Sequence, residues 1–329
     1  MKAVILDKPG SINGLVMKDV NQPTIKDDEL LVEVHAVGLN PSDYQTAEFA
    51  TDLSFKMILG LDVAGKVVKV GRNVKKFKEG DRVFYLREIS NPYGGFAEYA
   101  VTPERFACKI PDNLTDIEAA TMPGAGLTAY HIIYQRLSPT PNKTIFIQGG
   151  AGGVGSFAIQ LAKLCQQKVI TTCESKDINY VKSLGADEVI DFKNENVHQR
   201  ILDITKNEGV DYIINILGSN SVTKDISLLK FGGEIAVTSA FPHFDKIQFY
   251  SKGLTLHEIA FGIFLTYPNK EIQDIPAKIA NELSLLMSNK KIKAPLITKI
   301  DLSEISSYLQ KIKNGYITGK VVAVVDSKK

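Results

Sequence analysis

The sequence contains few cysteines, the residues that form disulfide cross-links and bind metals in small proteins. It contains three cysteines, Cys108, Cys165 and Cys173, and no tryptophan in 329 residues. The cysteines form no CxxC pair, and three are too few to staple a chain of this length. We therefore expect reduced thiols and no disulfide framework.

Long apolar runs and a strong excess of one charge are also missing. No stretch approaches the roughly 18 apolar residues of a membrane helix, and charge interrupts residues 1–7 too early for a signal peptide. The formal net charge is only +2, and the basic clusters 75–78 and 290–293 are short, as on a solvated face. These features predict a cytoplasmic protein with neither a membrane nor a nucleic-acid partner.

The length predicts two domains, and the composition is that of a globular chain, with 44% hydrophobic and 23% charged residues. The first third consists of short apolar strands separated by glycine, which predicts a small, partly closed β barrel. After a proline-marked connector at 138–142, strands alternate with helical segments. Such alternation implies right-handed crossovers and a parallel, doubly wound sheet. The predicted strands are Thr144–Gln148, Lys168–Thr172, Glu188–Asp191, Tyr212–Ile216, Glu234–Thr238 and Thr255–Ile259.

The last part of the chain is predicted to return to the first domain. It contains a long helix over Ile275–Ser288 and a closing strand-like segment, Lys320–Val325. The predicted domains are therefore 1–122 together with 265–329, and 123–264.

A glycine-rich turn follows the first strand of the second domain and precedes a helix. Gly150, Gly152 and Gly155 fit G-x-G-x-x-G, in which the glycines allow a tight turn, backbone approach to a diphosphate and close helix packing. Helix N-terminal amides would then face the diphosphate. A plain structural turn is the alternative. The predicted cofactor contacts in this loop are Gly150, Ala151, Gly152, Gly153, Val154 and Gly155.

The signals for the kind of dinucleotide conflict. Glu174, after the second strand, suits a free ribose 2′-hydroxyl and would repel a 2′-phosphate, which favours NAD(H). Ser175 and Lys176 could donate to a 2′-phosphate, which favours NADP(H). Glu174 and Lys176 could also be ordinary surface charges on a loop. We predict NADP(H) over NAD(H), with Leu217 as a further cofactor contact.

Several ordered motifs are similar to one known family. They are GLNPSD at 38–43, GLDVAG at 60–65, EGDRV at 79–83, GGFAEY at 94–99, PGAGLTAY at 123–130, SLGADEVID at 183–191 and GKVV at 319–322. Together with the glycine loop they resemble the quinone oxidoreductase and alkenal reductase branch of the medium-chain dehydrogenase/reductases. The resemblance implies an α/β protein in which a GroES-like β barrel accompanies a Rossmann domain. It also implies a homodimer, with the apolar segment 260–265 at a sheet edge, although a buried helix would explain that segment as well.

The zinc alcohol dehydrogenases of this superfamily place a cysteine, a His-Glu pair and a second cysteine around a catalytic metal. The corresponding residues here are Asn40, Leu61 with Asp62, and Gly124. Neither thiolate nor imidazole is available at these positions to build a tetrahedral zinc site. Segment 85–94 is also too short, and lacks the cysteines, for a structural-zinc lobe. We therefore predict a zinc-free protein.

The zinc-free relatives, by the same resemblance, pass a hydride to a quinone or to the C=C bond of an α,β-unsaturated carbonyl. Charge then develops on an oxygen, which needs a hydrogen-bond donor. Asn40 and Tyr44 are candidates, although family members often carry a tyrosine where this chain has Gln45. Asp62 either takes part in catalysis or only holds its loop. Thr128 resembles positions that contact the nicotinamide.

The leading hypothesis is an NADPH-dependent reductase of a small hydrophobic quinone or enone. Apolar loops around Leu53–Met57 and Ala240–Tyr250 suit such a substrate. One alternative is an enoyl-thioester reductase, which would need a cationic groove for a phosphorylated carrier. The other is a nucleotide-binding sensor that has lost turnover.

Overall fold

The computed structural model describes residues 1–50, 57–238, 241–247 and 251–325. The chain divides into two units, Met1–Leu127 with Gly262–Lys329, and Thr128–Phe261. No helix within the described ranges is long and apolar enough to cross a membrane. The loop at Leu53–Met57 lies outside these ranges except for its last residue, and so do residues 240 and 248–250 of the second predicted apolar loop.

The strands and helices follow in chain order. The strands are β1 Lys2–Leu6, β2 Leu15–Asp19, β3 Glu29–Gly38, β4 Met57–Ile58, β5 Asp62–Val70, β6 Arg82–Leu86, β7 Tyr99–Pro103, β8 Cys108–Lys109, β9 Thr144–Ile147, β10 Lys168–Cys173, β11 Glu188–Asp191, β12 Val210–Asn215, β13 Leu229–Val237, β14 Thr255–Glu258, β15 Ile297–Asp301 and β16 Lys320–Val324. The α-helices are α1 Pro41–Phe49, α2 Asp116–Ala119, α3 Leu127–Tyr130, α4 Gly153–Leu164, α5 Ile178–Ser183, α6 Val197–Ile204, α7 Ser219–Ile226, α8 Lys270–Gln273, α9 Ile275–Ser288 and α10 Ile305–Lys313. Two π-helical segments, Met122–Gly126 and His131–Leu137, flank α3.

The first unit is a β-rich, GroES-like domain, as predicted. Its larger sheet has the order β15-β16-β3-β5-β6-β8, with β7 also paired to β3, and a smaller sheet has the order β2-β1-β4. The closing strand β16 pairs antiparallel with β3, so the end of the chain lies in this unit. Apolar side chains of β1, β3 and β5 form its core together with those of α10.

The second unit is the predicted doubly wound domain. Its six strands are all parallel and have the order β11-β10-β9-β12-β13-β14. The chain direction across the sheet reverses between β9 and β12, and ligands of such sheets bind at the carboxyl ends of the strands beside this point. The glycine loop follows β9, so the fold places it at the expected ligand-binding edge.

Some predicted boundaries were wrong because local pattern does not set them. The helical spacing of residues 221–229 predicts a helix that ends at Leu229, but α7 ends at Ile226 and Leu229 already pairs with Val210 at the start of β13. The apolar residues of Phe96–Val101 predict a strand over that range, but β7 begins at Tyr99. Phe96 O instead accepts from Val4 N–H in a separate contact with β1. The segment 260–265 forms a short 3₁₀ helix over Phe261–Leu265.

Candidate functional site

In the first unit, three neighbouring strand ends bring distant residues together. β5 and β16 both run antiparallel to β3 and lie on either side of it, so the end of β3 meets the beginnings of its neighbours. Asn40 follows β3 at the N-cap of α1, Asp62 is the first residue of β5, and Lys320 is the first residue of β16. Sheet register therefore brings an amide, a carboxylate and an ammonium to one place.

These residues form a buried cluster, the lysine cluster of Asn40, Asp62, Gly124 and Lys320. Lys320 Nζ donates to Asn40 Oδ1 at 2.5 Å and to Asp62 Oδ2 at 2.7 Å. The second carboxylate oxygen of Asp62 accepts from Gly124 N–H at 2.7 Å. The side chains of Lys320 and Asp62 are 4% and 0% exposed, so the charges are satisfied by each other and by these polar partners. An ion pair this deep is costly to desolvate and strongly destabilising to break on one side only.

The cluster fixes the orientation of the Asn40 amide. An ammonium group only donates, so the amide must present its oxygen to Lys320. In the described part of the chain the nitrogen Nδ2 makes one hydrogen bond, to Gly38 O at 3.4 Å. A primary amide has two N–H groups. Asn40 therefore keeps one N–H for a further acceptor.

A second buried carboxyl holds the same loop. Asp43 Oδ2 accepts from Asn40 N–H at 2.8 Å, and its Oδ1 accepts from Gly60 N–H at 3.2 Å. Burial raises the pKa of Asp43 to about 7, and the nearby charge of Asp62 adds to this, while the Asn40 hydrogen bond and the cations Lys320 and Arg87 oppose it. Sequence reasoning assigned no role to Asp43 or Lys320, although the GLNPSD and GKVV motifs contain them.

The residues present do not fit a zinc ion. An ammonium group already lies within hydrogen-bonding distance of both Asn40 and Asp62. A Cβ atom added at Gly124 would lie 2.6 Å from Asn40 Oδ1 and 2.8 Å from Asp62 Oδ1, so no ligand side chain can be accommodated there without displacing them. The zinc-ligand types, thiolate and imidazole, are absent from these positions.

The remaining catalytic and nicotinamide candidates lie elsewhere. Tyr44, on α1, is half-buried and packs against the apolar core of the first unit. Thr128, in α3, is the first residue of the second unit and is also half-buried. Neither residue belongs to the lysine cluster.

In the second unit, the three motif glycines differ in what their surroundings require. A Cβ atom at Gly150 would lie 2.2 Å from Thr171 Oγ1, and one at Gly155 would lie 2.3 Å from Gly149 O. The fold itself therefore demands glycine at these two positions. At Gly152 the nearest atom would be 3.4 Å away, an ordinary contact, and the backbone φ of −80° suits any residue. The protein's own packing leaves this position open.

Helix α4 begins directly after this position, at Gly153. The first N–H groups of a helix have no acceptor within it, and the helix dipole makes this end attractive to anions. Ala151 and Val154 belong to the same turn, so all six predicted loop residues surround one helix N-terminus. The loop therefore fits a diphosphate group.

Beside the glycine loop lies a cavity of about 700 Å³. It opens at the carboxyl ends of the strands and is bordered by Gly149, Thr172, Phe192 and Leu217. The side chain of Leu217 is 65% exposed. The volume is within the range typical of small-molecule sites. Leu217 borders this cavity together with Gly149, the residue that precedes the predicted loop contacts.

A buried polar network forms the floor of this cavity. Asp225 Oδ2, on α7, accepts from Gln148 Nε2 at 2.5 Å and from Asn215 Nδ2 at 2.7 Å. These donors follow β9 and end β12, the two strands at the reversal point. Burial raises the pKa of Asp225 to about 7, although both hydrogen bonds oppose the shift. Sequence reasoning missed this network, whose members are far apart in the chain.

We predict that this carboxyl makes stability depend on pH. Its folded-state pKa, about 7, lies above the ordinary value of 3.8, so ionisation opposes folding. The contribution of the protonated Asp225 carboxyl to the free energy of unfolding is complete below the ordinary pKa. This contribution is lost as the pH rises through about 7. The variant Asp225→Asn cannot ionise at this position. As the pH rises from 5 to 8, its free energy of unfolding in urea should increase by on the order of 2 kcal/mol relative to that of the native chain. The exposed Asp245→Asn is the control, and an equal pH dependence in both variants would contradict the prediction.

The region predicted to select the cofactor contains an unexpected second lysine. Glu174 pairs with Lys193 at 2.8 Å and with Lys176 at 3.5 Å, and Lys193 in particular lowers the pKa of the carboxyl. The Ser175 hydroxyl, predicted to donate to a 2′-phosphate, instead donates to Asp191 in a short hydrogen bond. Two exposed lysines, Lys176 and Lys193, therefore surround Glu174, the acid that was predicted to repel a 2′-phosphate.

Comparisons with known proteins agree with this geometry. The zinc-binding dehydrogenase family model matches residues 153–281, and the alcohol dehydrogenase GroES-like domain model matches residues 26–112. A chloroplast quinone-oxidoreductase homologue of Spinacia oleracea is 32% identical over 95% of this chain and 94% of its own. A 2-methylene-furan-3-one reductase of Solanum lycopersicum is 37% identical over 72% of this chain and 62% of its own. A mycobacterial protein solved in complex with NADPH has a TM-score of 0.88 at 23% identity, covering 99% of this chain and 100% of its own.

Proposed function

We propose that this chain, which belongs to the quinone oxidoreductase family of the medium-chain dehydrogenase/reductases, is a zinc-independent, NADPH-dependent reductase. Its proposed substrates are quinones or the C=C bond of α,β-unsaturated carbonyls. Membership and an oxidoreductase function follow from the family models and the full-length relatives. The finer proposal is supported above all by the lysine cluster, in which a protein cation takes the place expected of a metal.

The cofactor would be held in the second unit. The open position at Gly152 lets a diphosphate approach the N-terminus of α4. Phe192 and Leu217 border the cavity that would take the adenosine half. NADPH, when bound, supplies a hydride to the substrate.

The chain's own residues would then bind and polarise the substrate carbonyl. Charge that develops on the substrate oxygen is stabilised most by donors fixed in advance in a site of low dielectric. The spare N–H of Asn40 is such a donor. Asp62 is fully buried with both oxygens occupied, so we propose that it holds the loop and does not touch the substrate. For Tyr44 and Thr128 the earlier roles stand as proposals.

Zinc independence is supported by the same cluster. Lys320 already neutralises the carboxylate of Asp62. A divalent cation bound by that carboxylate would be repelled by the ammonium group, which already contacts it. We expect turnover to survive dialysis against a chelator.

For cofactor preference, we predict that Lys193 and Lys176 recognise the 2′-phosphate in competition with Glu174. Lys193→Ala should weaken NADPH binding about tenfold, equivalent to about 1.4 kcal/mol, and change NADH binding little. Glu174→Ala should strengthen NADPH binding, because it frees both lysines. Calorimetric titration of each variant measures both effects, with the exposed Lys182→Ala as control. Equal losses for both cofactors in Lys193→Ala would contradict the assignment.

We further propose a homodimer located in the cytoplasm. The strand β14 ends the six-stranded sheet, and an uncovered edge strand can pair with a second copy. The proposed substrate partner is a small hydrophobic quinone or enone.

The function is tested by following NADPH consumption with purified protein, in chelator, against a panel of quinones, enones and enoyl thioesters. Reduction of a quinone or enone is the expected result. Turnover of enoyl thioesters alone would favour the carrier-dependent reductase. NADPH binding without turnover of any panel member would favour a sensor.

A further inference from the structure

We propose that Lys320 is a positioning residue for the reaction, which fixes the Asn40 amide with its oxygen turned inward and its N–H available to the substrate. The inference rests on the proposed function, because it takes Asn40 as the donor to the substrate oxygen. It adds a residue from the last strand of the chain to the reductase site.

The backbone around the cluster is shaped to admit this lysine. A Cβ atom at Gly38 would lie 3.0 Å from Lys320 Cε and 3.1 Å from Asp62 Cβ, and only 2.4 Å from Ala120 O. The side chain of Lys320 therefore passes over a position that carries no side chain. Since Gly124 likewise faces Asn40 and Asp62, two glycines make room for one ammonium and its acceptors.

Burying this ion pair does not by itself explain the arrangement. A buried salt bridge is weak support for stability, because an apolar pair of similar volume often does as well. The specific consequence of the ammonium lies in the third partner, Asn40. Its oxygen accepts a charge-assisted hydrogen bond from the ammonium group, which is stronger than a hydrogen bond between neutral groups.

An isolated asparagine amide can turn over and exchange its oxygen and nitrogen. Turning the Asn40 amide over would place an NH₂ group against an ammonium group, two donors with no acceptor between them. The bond to Lys320 therefore selects one orientation by roughly tenfold or more, given the energy of a charged hydrogen bond. Without the lysine, the amide would present its oxygen to the substrate for part of the time and repel the developing charge.

The test is the paired variant Lys320→Met with Asp62→Asn, which removes both charges and leaves no unpaired ion. The amide introduced by Asp62→Asn keeps an oxygen for Gly124 N–H. We expect a folded protein that binds NADPH within about twofold of the native affinity. We expect kcat to fall about tenfold with little change in KM. The deuterium isotope effect from 4,4-dideuterated NADPH should rise as the chemical step slows.

If Lys320 acts through Asn40, the effects of substituting the two residues on kcat should not be additive. Asn40→Ala should lower kcat strongly in the native chain and much less in the paired variant, because the same contribution is already lost. A purely structural ion pair predicts a lower melting temperature with unchanged kcat and isotope effect, and that result would overturn the proposal. If Asn40→Ala leaves turnover intact in the native chain, the proposed function of Asn40 fails instead.

A measurement on the native chain does not depend on whether the variant folds. Nuclear Overhauser effects from the Asn40 Nδ2 protons should be stronger to Gly38 than to the Cε protons of Lys320. The opposite pattern would overturn the proposal.

Discussion

Gly152→Ala is expected to weaken NADPH binding about 100-fold while the protein stays folded. The added methyl group meets protein atoms only at ordinary contact distance, 3.4 Å from Gly149 O, so the fold tolerates it. It would occupy the space through which a diphosphate approaches the backbone. Losing one or two hydrogen bonds to a charged phosphate, at about 1.5–3 kcal/mol each, gives an effect of this size.

Two other glycines provide the controls for this variant. Gly150→Ala places a methyl group 2.2 Å from Thr171 Oγ1 and should destabilise the protein itself. Gly262→Ala adds a methyl group in open space and should alter neither stability nor binding. Calorimetric titration together with thermal unfolding separates the cases. Native affinity in a folded Gly152→Ala protein would show that the loop is only a structural turn.

Asn40→Ala is expected to lower kcat about 100-fold, because removing one preorganised donor to a developing oxyanion typically costs 10² to 10³. The residue belongs to the first unit, whereas the glycine loop belongs to the second, so NADPH affinity should change less than about twofold.

Asn40→Asp is the matched variant for this prediction. An aspartate keeps an oxygen for Lys320 but has no N–H for the substrate. If the N–H donor of Asn40 is needed for turnover, the Asn40→Asp variant should be as slow as Asn40→Ala. Parallel losses of kcat and cofactor affinity in either variant would contradict the proposed placement of Asn40.

Much of the fold could be predicted because its signals are local. Alternating strands and helices identify the parallel sheet, and the turn at Gly150 identifies its ligand-binding edge. The sequence motifs also pointed to the family, which the relatives confirm. Boundaries such as the start of β13 could not be predicted, since pairing with β12 and not local pattern determines where that strand begins.

The site was predicted only in part, for a related reason. Asn40, Asp62 and the glycine loop stand in motifs that the sequence displays directly. Lys320 lies in a separate motif, and only the register of β16 against β3 brings it to Asn40. Likewise, the pairing of Lys193 with Glu174 depends on β10 and β11 being neighbours in the sheet. Contacts of this kind are properties of the folded sheet.

The most direct test of the proposed reaction follows deuterium from 4,4-dideuterated NADPH into an enone product, with chelator present throughout. We expect one carbon-bound deuterium per product molecule, a rate that falls in Asn40→Ala, and no requirement for added metal. Unchanged enone recovered from a protein saturated with NADPH, or reduction that depends on zinc, would contradict it.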